Sequence, residues 1–113
     1  MSGTETKNQS PLKVLGFAVR SGRIVFGCEQ CCAALKQGRT RLVVMAEGIS
    51  ENTSKRLRDR CSFYGATLIS AGCGADELGH ALGRTGPVAA AGVTDSSLST
   101  AVLKAVGSPI HNS

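Results

Sequence analysis

Thiols are the most reactive side chains in this sequence. Three of its five cysteines fall within one stretch, Gly27-Cys28-Glu29-Gln30-Cys31-Cys32. Cys28 and Cys31 stand at C-x-x-C spacing, which suits a metal half-site or a redox pair. A closed zinc site needs two further ligands at suitable separation. Cys61 and Cys73 are isolated, and histidine occurs only as His80 and His111. No metal or cofactor is therefore expected. The cysteines read as reduced thiols serving as small apolar residues, with redox or metal binding by the C-x-x-C kept as the alternative.

Catalysis finds no better footing. An enzyme needs a nucleophile, a base and a group that stabilises developing charge. The carboxylates show no paired spacing, His80 falls within a short helix beside Gly79, and no phosphate-cradling or dinucleotide-binding glycine motif occurs. What the cysteine stretch does offer is a helix start. The first-turn N–H groups after Gly27 lack partners within the helix and carry partial positive charge, which suits a phosphate or another acceptor. Glu29 and Gln30 add polar groups there, and Gly38 is a plausible stop.

The elements that position this start follow from periodicity. Ser10-Pro11 opens a helix to about Arg20. Arg23 to Phe26 can pair as a short strand, and the Gly27–Gly38 helix follows. Arg41 to Ala46 is a continuous apolar run, expected as a buried central strand. A third helix runs from Ser50 to about Tyr64, with Lys55, Arg56, Arg58 and Arg60 outward and Leu57 and Cys61 inward. Thr67 to Ser70 is another short strand. Ala71-Gly72-Cys73-Gly74 reads as a loop free to move. A short helix over Asp76–Leu82, an apolar run over Val88–Val93 and a helix capped by Thr94 to Ser97 complete the chain. Helices alternating with buried strands give a three-layer α/β/α sandwich around a mixed sheet of about four short strands. One domain over 10–106 is expected, with residues 1–9 and 107–113 as disordered tails.

The chain has 113 residues and a net charge of +5, with 42% hydrophobic and 19% charged residues. That is the balance of a globular protein, and the charge permits an anionic partner. No apolar run reaches the length of a membrane span, and Met1 to Ser10 lacks the apolar segment of a secretory signal. A cytoplasmic, monomeric protein is expected. Only Phe17, Phe26, Phe63 and Tyr64 are aromatic, so a surface for stacking single-stranded bases is not expected.

From Leu12 to Val106 the order of motifs resembles the kink-turn-binding L7Ae family of ribosomal proteins, in particular its bacterial YlxQ-type branch. The matching segments are Leu12–Arg23, Gly27–Gly38, Arg41–Glu47, Glu51–Ile69, Glu77–Gly83 and Val88–Asp95. The most specific are Glu77-Leu78-Gly79-His80-Ala81-Leu82-Gly83 and the Asn52-Thr53…Lys55…Asp59…Cys61…Tyr64 order. The resemblance implies the sandwich fold and a non-enzymatic RNA-binding role, with kink-turn, ribosomal or riboswitch RNA as partner and no DNA. It places Gly27, Cys28, Glu29, Gln30 and Ala33 in the groove of the kinked RNA. Ala71, Gly72, Cys73 and Gly74 would cover its flipped-out nucleotide. Glu29, Gln30 and Ala33 stand where the family pattern has Asn, Glu and Lys. Lys36, Arg39, Arg20 and Arg23 could then carry the phosphate contacts. Glu29 and Ala33 also leave open a scaffold that has lost kink-turn binding. If the two segments are walls of one site, Cys28 and Cys73 share a rim and are the most accessible thiols, Cys28 activated by the helix dipole.

Overall fold

The computed structural model describes residues 11–106, with side chains from 14 to 103. Ser10, His111, the Val106 side chain and both expected tails lie outside the described residues. The elements are α1 (Pro11–Arg20), β1 (Ile24–Phe26), α2 (Cys28–Lys36), β2 (Leu42–Glu47), α3 (Glu51–Tyr64), β3 (Thr67–Gly74), α4 (Ala75–Ala81), β4 (Ala90–Val93) and α5 (Ser96–Val106). The strands form one sheet in the order β1-β4-β2-β3. β2 runs parallel to β3, while β4 runs antiparallel to both β1 and β2. The sheet is therefore mixed and four-stranded, as expected. Among the described residues no helix is long and apolar enough to cross a membrane.

Alternation along β2 divides the core in two. Leu42, Val44 and Ala46 face one side, with Leu15 of α1, Leu78 of α4 and Val102 of α5. Val43 and Met45 face the other, with Cys31, Cys32 and Leu35 of α2 and Leu57 and Cys61 of α3. Successive side chains of a strand point to opposite faces, so a continuous apolar run marks a strand covered on both. The helix ends follow local chemistry. Ser50 Oγ accepts from Thr53 N–H at 3.2 Å to start α3, and Asp95 Oδ1 accepts from Leu98 N–H at 3.0 Å in the first turn of α5.

One local reading is overturned. Residues 71–74 are not a loop but the bulged end of β3. The pairing moves from Ser70 opposite Met45 to Gly74 opposite Glu47, so β3 advances four residues while β2 advances two. Gly72 takes a positive φ there, and Ala71 and Cys73 turn into the core. Small residues and glycines resemble a loop in sequence, whereas pairing to β2 makes them a bulge.

Candidate functional site

Strand direction decides which residues meet. β1, β2 and β3 all end, and β4 begins, at one end of the sheet. That end carries Gly27 after β1, Glu47 at the end of β2, Gly74 at the end of β3 and Ala89 before β4. Gly27 N–H donates to the Ala90 carbonyl at 2.7 Å, and Ala46 N–H donates to the Ala89 carbonyl at 2.8 Å. Gly27 and Gly74 thus lie on one rim, three strand spacings apart, or about 14 Å.

Gly27 enters α2 at φ 91° and ψ 156°, a conformation essentially reserved for glycine. No side chain caps the helix. The first backbone bond runs from Cys31 N–H to the Gly27 carbonyl at 3.0 Å, which leaves the N–H groups of Cys28, Glu29 and Gln30 for an outside acceptor. Two cations reach this point from elsewhere in the chain. Arg56 of α3 lies 3.7 Å from the Glu29 carboxylate, and the Arg84 guanidinium sits 4.4 Å above the Phe26 ring centroid. Arg84 belongs to the segment joining α4 to β4, which with Phe26 and Gly27 lines a cleft of about 220 Å³. The segment is held by Arg84 N–H to the Gly79 carbonyl at 2.9 Å and Val88 N–H to the Ala75 carbonyl at 3.0 Å.

Residues 9–103 match the sequence model of the ribosomal protein L7Ae/L30e/S12e/Gadd45 family. The chain belongs to this family. It is similar to the RNA-binding protein YlxQ of Enterococcus faecium, at 32% identity over 60 residues, covering 53% of this chain and 58% of that protein. It is also similar to the YlxQ of Bacillus subtilis (strain 168), at 33% identity over 51 residues, covering 45% and 51%. The chain thus matches little more than half the length of either relative. A protein of unknown function from Bacillus halodurans C superposes with a TM-score of 0.81 at 27% identity, over 88% of this chain and all of that one. The Giardia lamblia 15.5kD RNA binding protein shares the fold, with a TM-score of 0.68 at 20% identity, over 85% and 81%.

Within this L7Ae-family fold, Glu29, Gln30 and Ala33 are exposed on α2, and the Glu29 side chain is 86% accessible. Cys28 is half-buried. Gly74 lies on the rim and Gly72 is exposed, but Ala71 and Cys73 point inward. Lys36 and Arg39 are exposed at the far end of α2, about 12 Å from Cys28. Arg39 lines a different cavity, of about 440 Å³, with Arg41, Thr67 and Ser99. Arg23 pairs with Asp95 at 3.2 Å before β1 begins, also away from the rim. The cations beside Gly27 are Arg56 and Arg84 instead. The sequence puts Arg56 on an outward face of its helix and Arg84 in a turn. Packing of α3 against α2 carries Arg56 to Glu29, and the pairing of β1 with β4 brings the Arg84 segment to Phe26 and Gly27.

The thiol expectation holds in one part and fails in another: Cys28 is the most accessible of the five thiols, but Cys73 is buried and does not share its surroundings. Cys73 packs in the core on the α1, α4 and α5 side, and Cys28 on the α2 and α3 side, so the sheet separates them. Burial raises the Cys73 pKa, with Glu77 and Glu47 adding to it. Burial likewise raises that of Cys28, reinforced by Cys32 beside it and only partly opposed by Arg56. Burial holds Cys31 protonated and pushes Cys61 up to about 12. Among the described residues no group of three or more His, Cys, Asp or Glu is arranged to hold a metal ion.

Proposed function

We propose that this chain is a non-catalytic RNA-binding protein that recognises kink-turn or similarly kinked structured RNA through the rim at Gly27. The observation that carries this reading is the uncapped start of α2, with three free backbone N–H groups between Arg56 and Arg84. Backbone donors and arginines suit phosphate oxygens, while Gln30 donates to and accepts from base edges. Glu29 accepts from guanine N–H groups, and the nearby Arg56 offsets its repulsion of phosphate. Arg56 also supplies, from α3, a cation that Ala33 does not. The protein acts as a cytoplasmic monomer on ribosomal or riboswitch RNA, through one domain spanning 10–106.

Fluorescence anisotropy with a kink-turn duplex and a straight duplex of equal length tests this reading. The kinked duplex is expected to bind at least about tenfold tighter, a difference of about 1.4 kcal/mol. Affinity for it should fall as salt rises, because phosphate contacts release counterions. Equal affinity for the two duplexes would refute kink recognition. Ala33 and Glu29 favour a scaffold as the second reading, and binding of neither duplex would select it.

A further inference from the structure

The outward face of α3 carries a feature that the rim does not use. Phe63 is 78% exposed, the more exposed of the two large apolar side chains left open to solvent among the described residues. It is not loosely placed. Its ring meets Tyr64 edge-to-face, with centroids 4.9 Å apart and planes at 89°, and Tyr64 packs against the core beside Leu57 and Cys61. An exposed aromatic ring held at a fixed angle presents a flat face to solvent.

The surroundings of that ring are basic. Asn52, Arg56, Asp59 and Phe63 follow at intervals of four, three and four residues, so they line one face of the helix. Arg60 and Lys55 flank this line. Asp59 is the one acid on it, and Lys55 Nζ neutralises it at 3.0 Å. Asn52, Lys55, Arg56, Asp59 and Arg60 also form a shallow groove of about 370 Å³. The stripe starts at Arg56, beside Glu29, and reaches Phe63 about 10 Å further along the helix. A basic track leading to an aromatic platform is the combination that holds unpaired nucleotides, with cations on the backbone and a ring under a base.

We propose that the α3 face from Arg56 to Phe63 is a second RNA contact, which binds a short single strand extending from the structured RNA, with one base stacked on Phe63. This rests on the reading of the Gly27 rim as the site for kinked RNA. It departs from the expectation of no stacking surface, because composition counts rings without locating them and Phe63 lies exposed beside arginines.

Three RNA probes test the proposal: a blunt kink-turn duplex and the same duplex with four unpaired uridines at either its 3′ or its 5′ end. The full chain and its Phe63→Ala and Arg60→Gln variants are titrated with each. Both positions are exposed, so neither change should disturb folding. The wild type should bind one of the extended duplexes on the order of tenfold tighter than the blunt one. Phe63→Ala should abolish that gain and leave blunt-duplex affinity within about twofold, and Arg60→Gln should reduce the gain. Equal binding of all three probes overturns this inference alone, and binding of none overturns the reading of the rim as well. If Phe63→Ala leaves every RNA affinity unchanged but abolishes self-association in sedimentation, Phe63 is a protein contact and the proposal is wrong.

Discussion

Replacing Gly79 by alanine sets two effects of opposite sign against each other. Gly79 lies inside α4, where alanine is favoured over glycine by about 1 kcal/mol. A Cβ at this position, however, would collide with the Gly86 carbonyl oxygen, and it would lie 3.1 Å from the Gly86 carbonyl carbon and 3.3 Å from Pro87 Cα. All three obstacles are backbone, so no rotamer change relieves them. The segment carrying Arg84 must withdraw by roughly 1 Å to reach an ordinary C···O separation. That movement strains the Arg84 N–H bond to Gly79 and the Val88 N–H bond to Ala75. Overpacking against a rigid neighbour costs up to about 3 kcal/mol, so the net destabilisation is about 2 kcal/mol. For a domain of this size that is a fall in Tm of roughly 10 °C. It should also weaken binding of a kink-turn duplex, because Arg84 leaves its place over Phe26. Thermal unfolding by circular dichroism compares Gly79→Ala with His80→Ala, an exposed control on the same helix expected within about 0.5 kcal/mol of wild type. A Gly79→Ala protein as stable as wild type, or more so, would refute the close packing of the 84–87 segment on α4.

Three further outcomes follow from the same geometry. Ala33→Lys adds a cation to the exposed face of α2 and should tighten kink-turn binding by about 1 kcal/mol, measured by anisotropy; no gain would mean that RNA does not pass this face. Arg84→Gln should weaken binding and reduce the slope of log K against log salt by about one, without lowering Tm by more than about 1 kcal/mol equivalent. Burial raises the Cys61 thiol from 9.0 to about 12, so the folded state retains a proton that the unfolded chain loses. Its contribution is fully present below pH 9 and is lost as pH rises towards 12, and urea midpoints taken across that window should fall more steeply for wild type than for Cys61→Ala.

The fold was legible because its signals are local and redundant. The apolar run at 41–46 can be satisfied only by cover on both faces, and β2 is buried from Leu42 to Ala46. Ser50 and Gly65 mark the ends of α3 by capping chemistry that needs no tertiary information. The candidate site was legible only in part. Gly27 to Gln30 form a helix start in sequence and in structure, because that start depends on one glycine and its neighbours. The bulge at 71–74 depends on how β3 pairs with β2, and Arg56 and Arg84 reach Gly27 only through packing of α3 and pairing of β4. Cys73 reads as exposed beside two glycines, yet strand alternation turns it inward. Lys36 and Arg39 follow Gly27 closely in sequence, but the length of α2 carries them to its far end.

The most direct test of the account is where RNA touches the protein. Amide shifts of the labelled full chain are followed by NMR as a kink-turn duplex is added. The largest changes should cluster at Cys28, Glu29, Gln30, Arg84, Thr85 and Gly86, with the free N–H groups of the α2 start moving most. Changes centred on Arg39, Arg41 and Ser99 at the opposite end of the sheet, with the Gly27 rim unmoved, would contradict it.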